Sequence, residues 1–281
     1  MSTDQFHPAI IRAAQLNLGV ATTTRTCRNA QRAHSLAATS TIALGRLLTA
    51  AALTALVRDR SVTLSLQVLC KGRLNQVYAD ITPEGDARGY IKNATLSLPL
   101  FPEESVGGRR SIAPAVGGGV LSVIREPRYQ EFTQSSTPLV SGEIDLDVAH
   151  FLHASDQVPT ALACDVLLDE SDAVASAGGI IVQAMPGADL DRLAELHRGL
   201  SDGGFATKLA THDGNPLALL TELAPDAQPL EQVVPLRWKC RCSKDRVVSA
   251  LHLLDALQLA EMVEQRETAR VTCDFCGTVY A

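Results

Sequence analysis

The sequence has no excess of positive charge, no apolar run long enough to span a bilayer and no basic leader, and each absence removes a class of function. Its 25 Lys and Arg face 31 Asp and Glu for a formal net charge of −6, so it lacks the cationic surplus that holds a nucleic-acid backbone. The best spanning candidate, Leu47 to Val57, is eleven residues long between Arg46 and Arg58. That falls well short of a hydrocarbon core and predicts a buried helix. Asp4 and Arg12 interrupt the first twenty residues, so no secretory leader is expected and the chain is predicted to be cytoplasmic, with neither nucleic acid nor membrane as a partner. With 46% hydrophobic residues in 281, it is too apolar for disorder and long enough for one ordinary domain plus something smaller.

Nor is there a disulfide framework, because the seven cysteines are odd in number and a cytosolic chain keeps its thiols reduced. Cys27, Cys70 and Cys164 are scattered and are expected to be small buried hydrophobes. Cys240, Cys242, Cys273 and Cys276 fall within the last 42 residues as a C-x-C, a gap of thirty and a C-x-x-C. Two close thiolate pairs brought together make a tetrahedral four-sulfur site. That geometry suits zinc, whose filled d shell sets no directional demand, so these four are the predicted ligands of one Zn2+. Gly277 relieves the backbone behind the second pair.

From Trp238 onward there are only 44 residues, near the size at which a domain needs a metal or disulfides to fold. Structural zinc contributes about 10–16 kcal/mol in small modules, so this one is predicted to fold with zinc and to unfold without it. Ser243 is expected to cap a helix carrying Val247, Val248, Leu251 and Leu254, with a second stripe at Leu259, Met262 and Val263, both forming the core of the module. Lys239, Arg241, Lys244 and Arg246 surround the first pair, and positive charge favours thiolate, the form that oxidants attack. The residues themselves leave two readings open: a constitutive zinc module, or a switch that loses its metal when the thiolates oxidise.

Upstream, the patterning predicts an α+β fold. His34 to Asp59 is an alanine-rich helix interrupted by Arg46. Ser61 to Leu69, Asn75 to Ile81 and Ala87 to Leu98 are expected strands, the last two separated by the turn Thr82-Pro83-Glu84-Gly85-Asp86. Gly117 to Gly119 turn into another strand. Ser141 is expected to cap a helix from Gly142 to about Ala154, with Glu143 and Asp145 in its first turn. Leu162 to Asp169 and Gly178 to Met185 look like a closing hairpin. Consecutive strands with short turns favour a mainly antiparallel sheet packed with helices. The expected organisation is a core domain over residues 1–186, a metastable helical linker over 187–237 and a zinc-binding domain over 238–281. In the linker, Asp189 to Leu200 and Pro216 to Leu223 are amphipathic but too short to stand alone.

These segments together resemble the heat shock protein 33 family of redox-regulated molecular chaperones over nearly the full length. The resemblance is carried by IALGRLLTAAALTAL, ARGYIKNA, LVSGEIDLDVAHFLHASDQVPTAL and AGGIIVQAMPG, and above all by VPLRWKCRCSKDRVVSAL with VTCDFCGTVY. It implies an ATP-independent holdase that is inactive while the four thiolates hold zinc. On oxidation Cys240 would pair with Cys242 and Cys273 with Cys276, zinc would leave, and the small domain and linker would unfold to bind unfolding client proteins, often as a homodimer. Three departures stand out: the chain ends at Ala281 where the family usually has a further helical tail, Cys70-Lys71-Gly72 replaces a more glycine-rich turn and adds a thiol, and EQRETARV replaces a glycine-containing turn.

No constellation for enzymatic turnover stands out. His150 and His153 lack carboxylate company, Gly117 to Gly119 precede a strand rather than a helix, and no nucleophile elbow surrounds Ser155-Asp156-Gln157. The alternative to the chaperone is a constitutive zinc module in a nucleic-acid-binding protein, although six basic residues from Trp238 onward are balanced by six acidic ones. A thiol oxidoreductase using Cys273 and Cys276 is a third reading.

Overall fold

In the computed structural model of the chain, the described residues are 3–58, 61–99, 109–129, 131–201, 204–251 and 270–281, with single positions at 255, 260, 262, 264 and 268. Leu259 and Val263 of the expected second stripe, and Leu254 of the first, therefore lie outside the described residues.

The chain opens on a hairpin of β1 (Gln5–Ile11) and β2 (Leu16–Thr22), followed by α1 (Thr24–His34) and α2 (Ala38–Leu56). A meander of β3 (Val62–Cys70), β4 (Gln76–Ile81) and β5 (Asp86–Ile91) comes next, and the short α3 (Ala113–Val116) leads into the hairpin β6 (Gly119–Pro127) and β7 (Thr133–Pro138). Then come α4 (Ile144–Ala154), the hairpin β8 (Thr160–Leu168) and β9 (Val174–Ala184), and three helices, α5 (Leu190–Ser201), α6 (Phe205–Thr211) and α7 (Pro216–Leu223). The last elements are the two-residue strands β10 (Gln228–Pro229), β11 (Val234–Pro235) and β12 (Arg237–Trp238), helix α8 (Lys244–Leu251), and a hairpin of β13 (Val271–Thr272) and β14 (Val279–Tyr280).

Two sheets result. One runs β10-β1-β2-β9-β8 with β11 also on β1; the other runs β12-β5-β4-β3-β6-β7, antiparallel except for the parallel pair of β12 and β5. The helix α2 lies between them, which explains its composition. Every one of its residues but Thr54 is buried, so it has no polar face to show, and alanines let both sheets approach. Gly45 lies at a close approach: a Cβ there would stand 2.7 Å from Val166 Cγ2. Contrary to the eleven-residue run read from the sequence, this helix is, among the described residues, the one long and apolar enough to cross a bilayer, but 94% of its apolar window is buried inside the protein.

Arg46, the polar interruption in that helix, is 0% exposed. A buried guanidinium is tolerable only when paired and hydrogen-bonded, and Arg46 reaches Glu143 at 2.8 Å, Asp165 at 3.3 Å and the Arg110 carbonyl at 2.7 Å. Beside it, Arg109 pairs with Asp145. Burial works against ionisation of Asp145, but the Arg109 charge outweighs it and holds the carboxyl below its ordinary value.

The second core lies on the far side of the first sheet, where Leu193, Leu196, Phe205, Leu209, Leu219 and Leu220 of α5 to α7 cover Leu16, Leu18, Val20, Ile180 and Val182. Each such side chain is worth roughly 1.5–3 kcal/mol when fully buried. Two of these helices follow the amphipathic segments read from the sequence. The third, α6, was not foreseen; its Ala206 amide donates to the buried Asp165 at 3.4 Å.

Three expectations are corrected. The strand expected over Ala87 to Leu98 stops at Ile91, because the residues beyond it serve the uncapped start of α2: the amides of Ala37 and Ser40 donate to the Ala94 and Leu96 carbonyls at 2.9 and 3.3 Å. Ser141 is not the cap of α4. The N-cap position is Glu143, and the amides of Val140, Ser141 and Gly142 instead converge on the Asp147 carboxylate at 2.8–3.0 Å. Glu143 consequently sits outside the first turn and turns inward to Arg46, Ser111 and the Ile112 amide.

Candidate metal centre

The two cysteine pairs come together at the open edge of the second sheet. There β12 adds to β5 in parallel, with Arg237 opposite Asp86 and Trp238 opposite Ala87, and the Lys239 amide donates to the Ala87 carbonyl at 2.8 Å. This pairing carries Cys240 and Cys242 past the sheet edge. The second pair lies in the turn between β13 and β14. Inside it the Cys276 and Gly277 amides donate to the Cys273 carbonyl at 3.3 and 2.9 Å, and Gly277 has φ +70°, the left-handed backbone in which glycine carries no penalty.

The four sulfurs lie within 4.8 Å of one another. Cys240 Sγ is 3.6 Å from Cys273 Sγ, and Cys242 Sγ is 3.5 Å from Cys276 Sγ. Four sulfurs held tetrahedrally at the usual zinc distance of about 2.3 Å would stand about 3.8 Å apart, whereas a disulfide needs about 2.05 Å. The arrangement is therefore that of free thiols converging on one point, and both of these close pairs run across the two motifs, as corners of one site. It could hold a metal ion. Among the described residues no other set of His, Cys, Asp and Glu side chains converges in this way.

The surroundings tune three of the thiols differently. Burial and the neighbouring thiols push Cys240 up to about 12, and burial raises Cys273. Burial also opposes ionisation of Cys276, but the Thr278 hydroxyl and amide and the neighbouring thiols bring it down to about 7. Tyr280 donates its hydroxyl to Cys242 Sγ at 3.0 Å. Cys27 and Cys164 are buried as expected, and burial pushes Cys27 to about 12. Cys70, expected to be buried, is only half-buried, and burial raises it to about 11.

Of the four basic residues flanking the first pair, two are turned away from the sulfurs. Arg241 pairs with Asp80 at 2.6 Å, and Lys239 joins Arg237 on Asp86 at 2.7 and 2.6 Å. Burial opposes ionisation of Asp86, yet these two donors outweigh it and hold its pKa below the ordinary value. Lys244 and Arg246 are exposed. Among the described residues, a cation that does face a sulfur is Arg88, from β5. Its burial works against the charge, but Asp80 and the Cys240 sulfur outweigh that and raise its pKa. Sequence reasoning missed it, since 152 positions separate Arg88 from Cys240. Ser243 does cap α8, accepting from the Arg246 amide at 3.3 Å, but Val248 is 41% exposed rather than core.

Phe275, at the tip of the second pair, fixes the site to the sheet. Its ring meets Tyr78 and Tyr90 edge-on at 5.6 and 5.3 Å, and the Arg88 guanidinium lies 3.8 Å from its centroid. Tyr78 and Tyr90 are stacked on each other at 5.4 Å. Trp238 meets His34 edge-on at 5.9 Å, so the end of α1 closes the other side.

Comparisons with known proteins agree on one family. Residues 4–281 match the family model described as Hsp33 protein. A 33 kDa chaperonin of Streptococcus gordonii is 34% identical over 259 residues, covering 92% of this chain and 88% of that protein. One of Streptococcus pneumoniae (strain Hungary19A-6) is 33% identical over 278 residues, covering 99% and 94%. Among solved structures, the 33 kDa chaperonin (heat shock protein 33 homolog) of Thermotoga maritima aligns with a TM-score of 0.87 at 27% identity, over 99% of this chain and 94% of that one.

Proposed function

The chain belongs to the Hsp33 family, and from that premise we propose that it is a cytoplasmic, ATP-independent holdase switched on by oxidation. In the resting state Cys240, Cys242, Cys273 and Cys276, as thiolates, hold one Zn2+. The ion would cross-link two segments thirty residues apart. Oxidation by a peroxide removes two electrons from each pair, forming the Cys240–Cys242 and Cys273–Cys276 disulfides while each peroxide is reduced to water. Four ligands are thereby consumed and the zinc is released. Residues 238–281 then lose the cross-link on which their folding depends, the 187–237 linker loses its support, and the apolar surface thus exposed binds unfolding client proteins, with dimerisation of the oxidised chain.

The observation that carries this reading is the convergence of the four sulfurs within 4.8 Å, free rather than bonded. The test measures zinc, free thiols and suppression of client aggregation together, before and after peroxide with mild heat. The expected result is one zinc lost per four thiols consumed, with suppression appearing in step. Equal suppression by the reduced, zinc-loaded protein would sink the switch.

A further inference from the structure

We propose that the cleft between α1 and the turn after α6 is a binding site for an oligophosphate anion. The cleft measures about 480 Å³ and is lined from one side by Arg25, Arg28 and Arg32. These stand three and four residues apart on α1, so they share one helical face. In a chain with a net charge of −6, three guanidiniums gathered around one cleft reverse the local balance, and the single carboxylate among the lining residues is Asp213.

Arg28 is already fixed in place, donating from Nε and Nη2 to the Val174 and Ala175 carbonyls at 2.6 and 2.9 Å. Arg25 and Arg32 are exposed, and neither has an ion-pair partner among the described residues. The start of α1 contributes nothing to the site, because the Asp4 carboxylate already accepts the Arg25 and Thr26 amides at 3.0 and 2.6 Å. Recognition therefore rests on the guanidinium forks, whose planar donors match phosphate oxygens in pairs. Arg25 and Arg32 are rooted about 10 Å apart along the helix with Arg28 between them. A row of linked phosphates meets one fork after another, which a single orthophosphate does not. Asp213, on the opposite wall, opposes the anion.

The test is calorimetric titration of the reduced, zinc-loaded full chain with inorganic tripolyphosphate at physiological ionic strength, beside orthophosphate and ATP. One saturable site per chain is expected, with orthophosphate weaker by about tenfold or more, the loss of one or two charge-assisted contacts. R25A/R32A should weaken tripolyphosphate by at least about tenfold, and D213N should tighten it severalfold. Any interaction of the probe with the metal is common to all variants, so the difference reports the cleft, and an unchanged melting curve shows that the exposed-side-chain double variant is folded. ATP binding no tighter than tripolyphosphate assigns the phosphate chain as the whole ligand; tighter binding makes a nucleotide its source. No saturable tripolyphosphate binding, or equal affinity in R25A/R32A, overturns the proposal.

Discussion

The α2 layer and the four-cysteine segment are held by opposite means. Around α2, two sheets bury a continuous apolar core, and even its charged residues are paired inside. The C-terminal segment offers partly exposed sulfurs, a helix whose Val248 faces solvent, and two short hairpin strands. What it has instead is a point where four thiols meet. One region is stable through area removed from water, which an oxidant or a chelator does not touch; on the proposed function the other depends on ligand chemistry, which an oxidant, a chelator or acid reverses.

Removing the metal should separate the two regions most sharply. In C240S/C273S the loss of two ligands forfeits much of the roughly 10–16 kcal/mol that structural zinc supplies. Amide exchange should become fast across residues 239–251 and 270–281, while the β3–β6 ladder keeps its protection. Equal loss of protection in both would break the comparison.

Arg46→Met tests the opposite region. It strands Glu143 and Asp165 without their buried partner and should cost about 3–5 kcal/mol of body stability in denaturant titration, with zinc affinity unchanged. Next in size, Phe275→Ala removes two edge-on ring contacts and the Arg88 contact, together about 1–3 kcal/mol of docking. The sulfurs would still converge, so zinc should stay bound in resting protein, but peroxide should release it faster.

Acid should act on both regions in a set order. Thiolate ligands must be deprotonated, so zinc leaves as protons compete for sulfur in the weakly acidic range. Asp145, with its folded pKa below the ordinary 3.8, gives stability that is present above that value and lost only as pH falls through the lower folded one. Zinc release followed by dye should therefore precede loss of the body's circular dichroism. Simultaneous loss would show that the two regions are not independent.

Legibility in the sequence follows the same divide. The buried helix was visible in its alanines and leucines, β3 and β6 in their alternation, β4 as a short strand-like run before a turn, and β8 and β9 as short apolar runs. The helix α1 was not, because its buried residues, Thr26, Cys27 and Ala30, are too small and too mixed to form an apolar stripe. Ser141 was a reasonable cap by residue type, yet Asp147, from inside the helix, took the turn's amides. At the site, the four cysteines were legible by spacing alone, whereas Arg88, Tyr280 and the box around Phe275 carried no local signal. The basic residues near the first pair were legible as charges but not as docking contacts.

The sequence by itself determined that α2 and the strands after it would be buried, which four thiols would share a site and which family the chain resembles, because periodicity and ligand spacing are local properties of a chain. Only the tertiary structure decided that Arg241 faces Asp80, that Arg88 faces Cys240 and that Phe275 seats between Tyr78 and Tyr90. Those contacts depend on which sheet edge receives β12, and that is set by how two sheets close over one helix, a long-range packing outcome that no stretch of residues encodes alone.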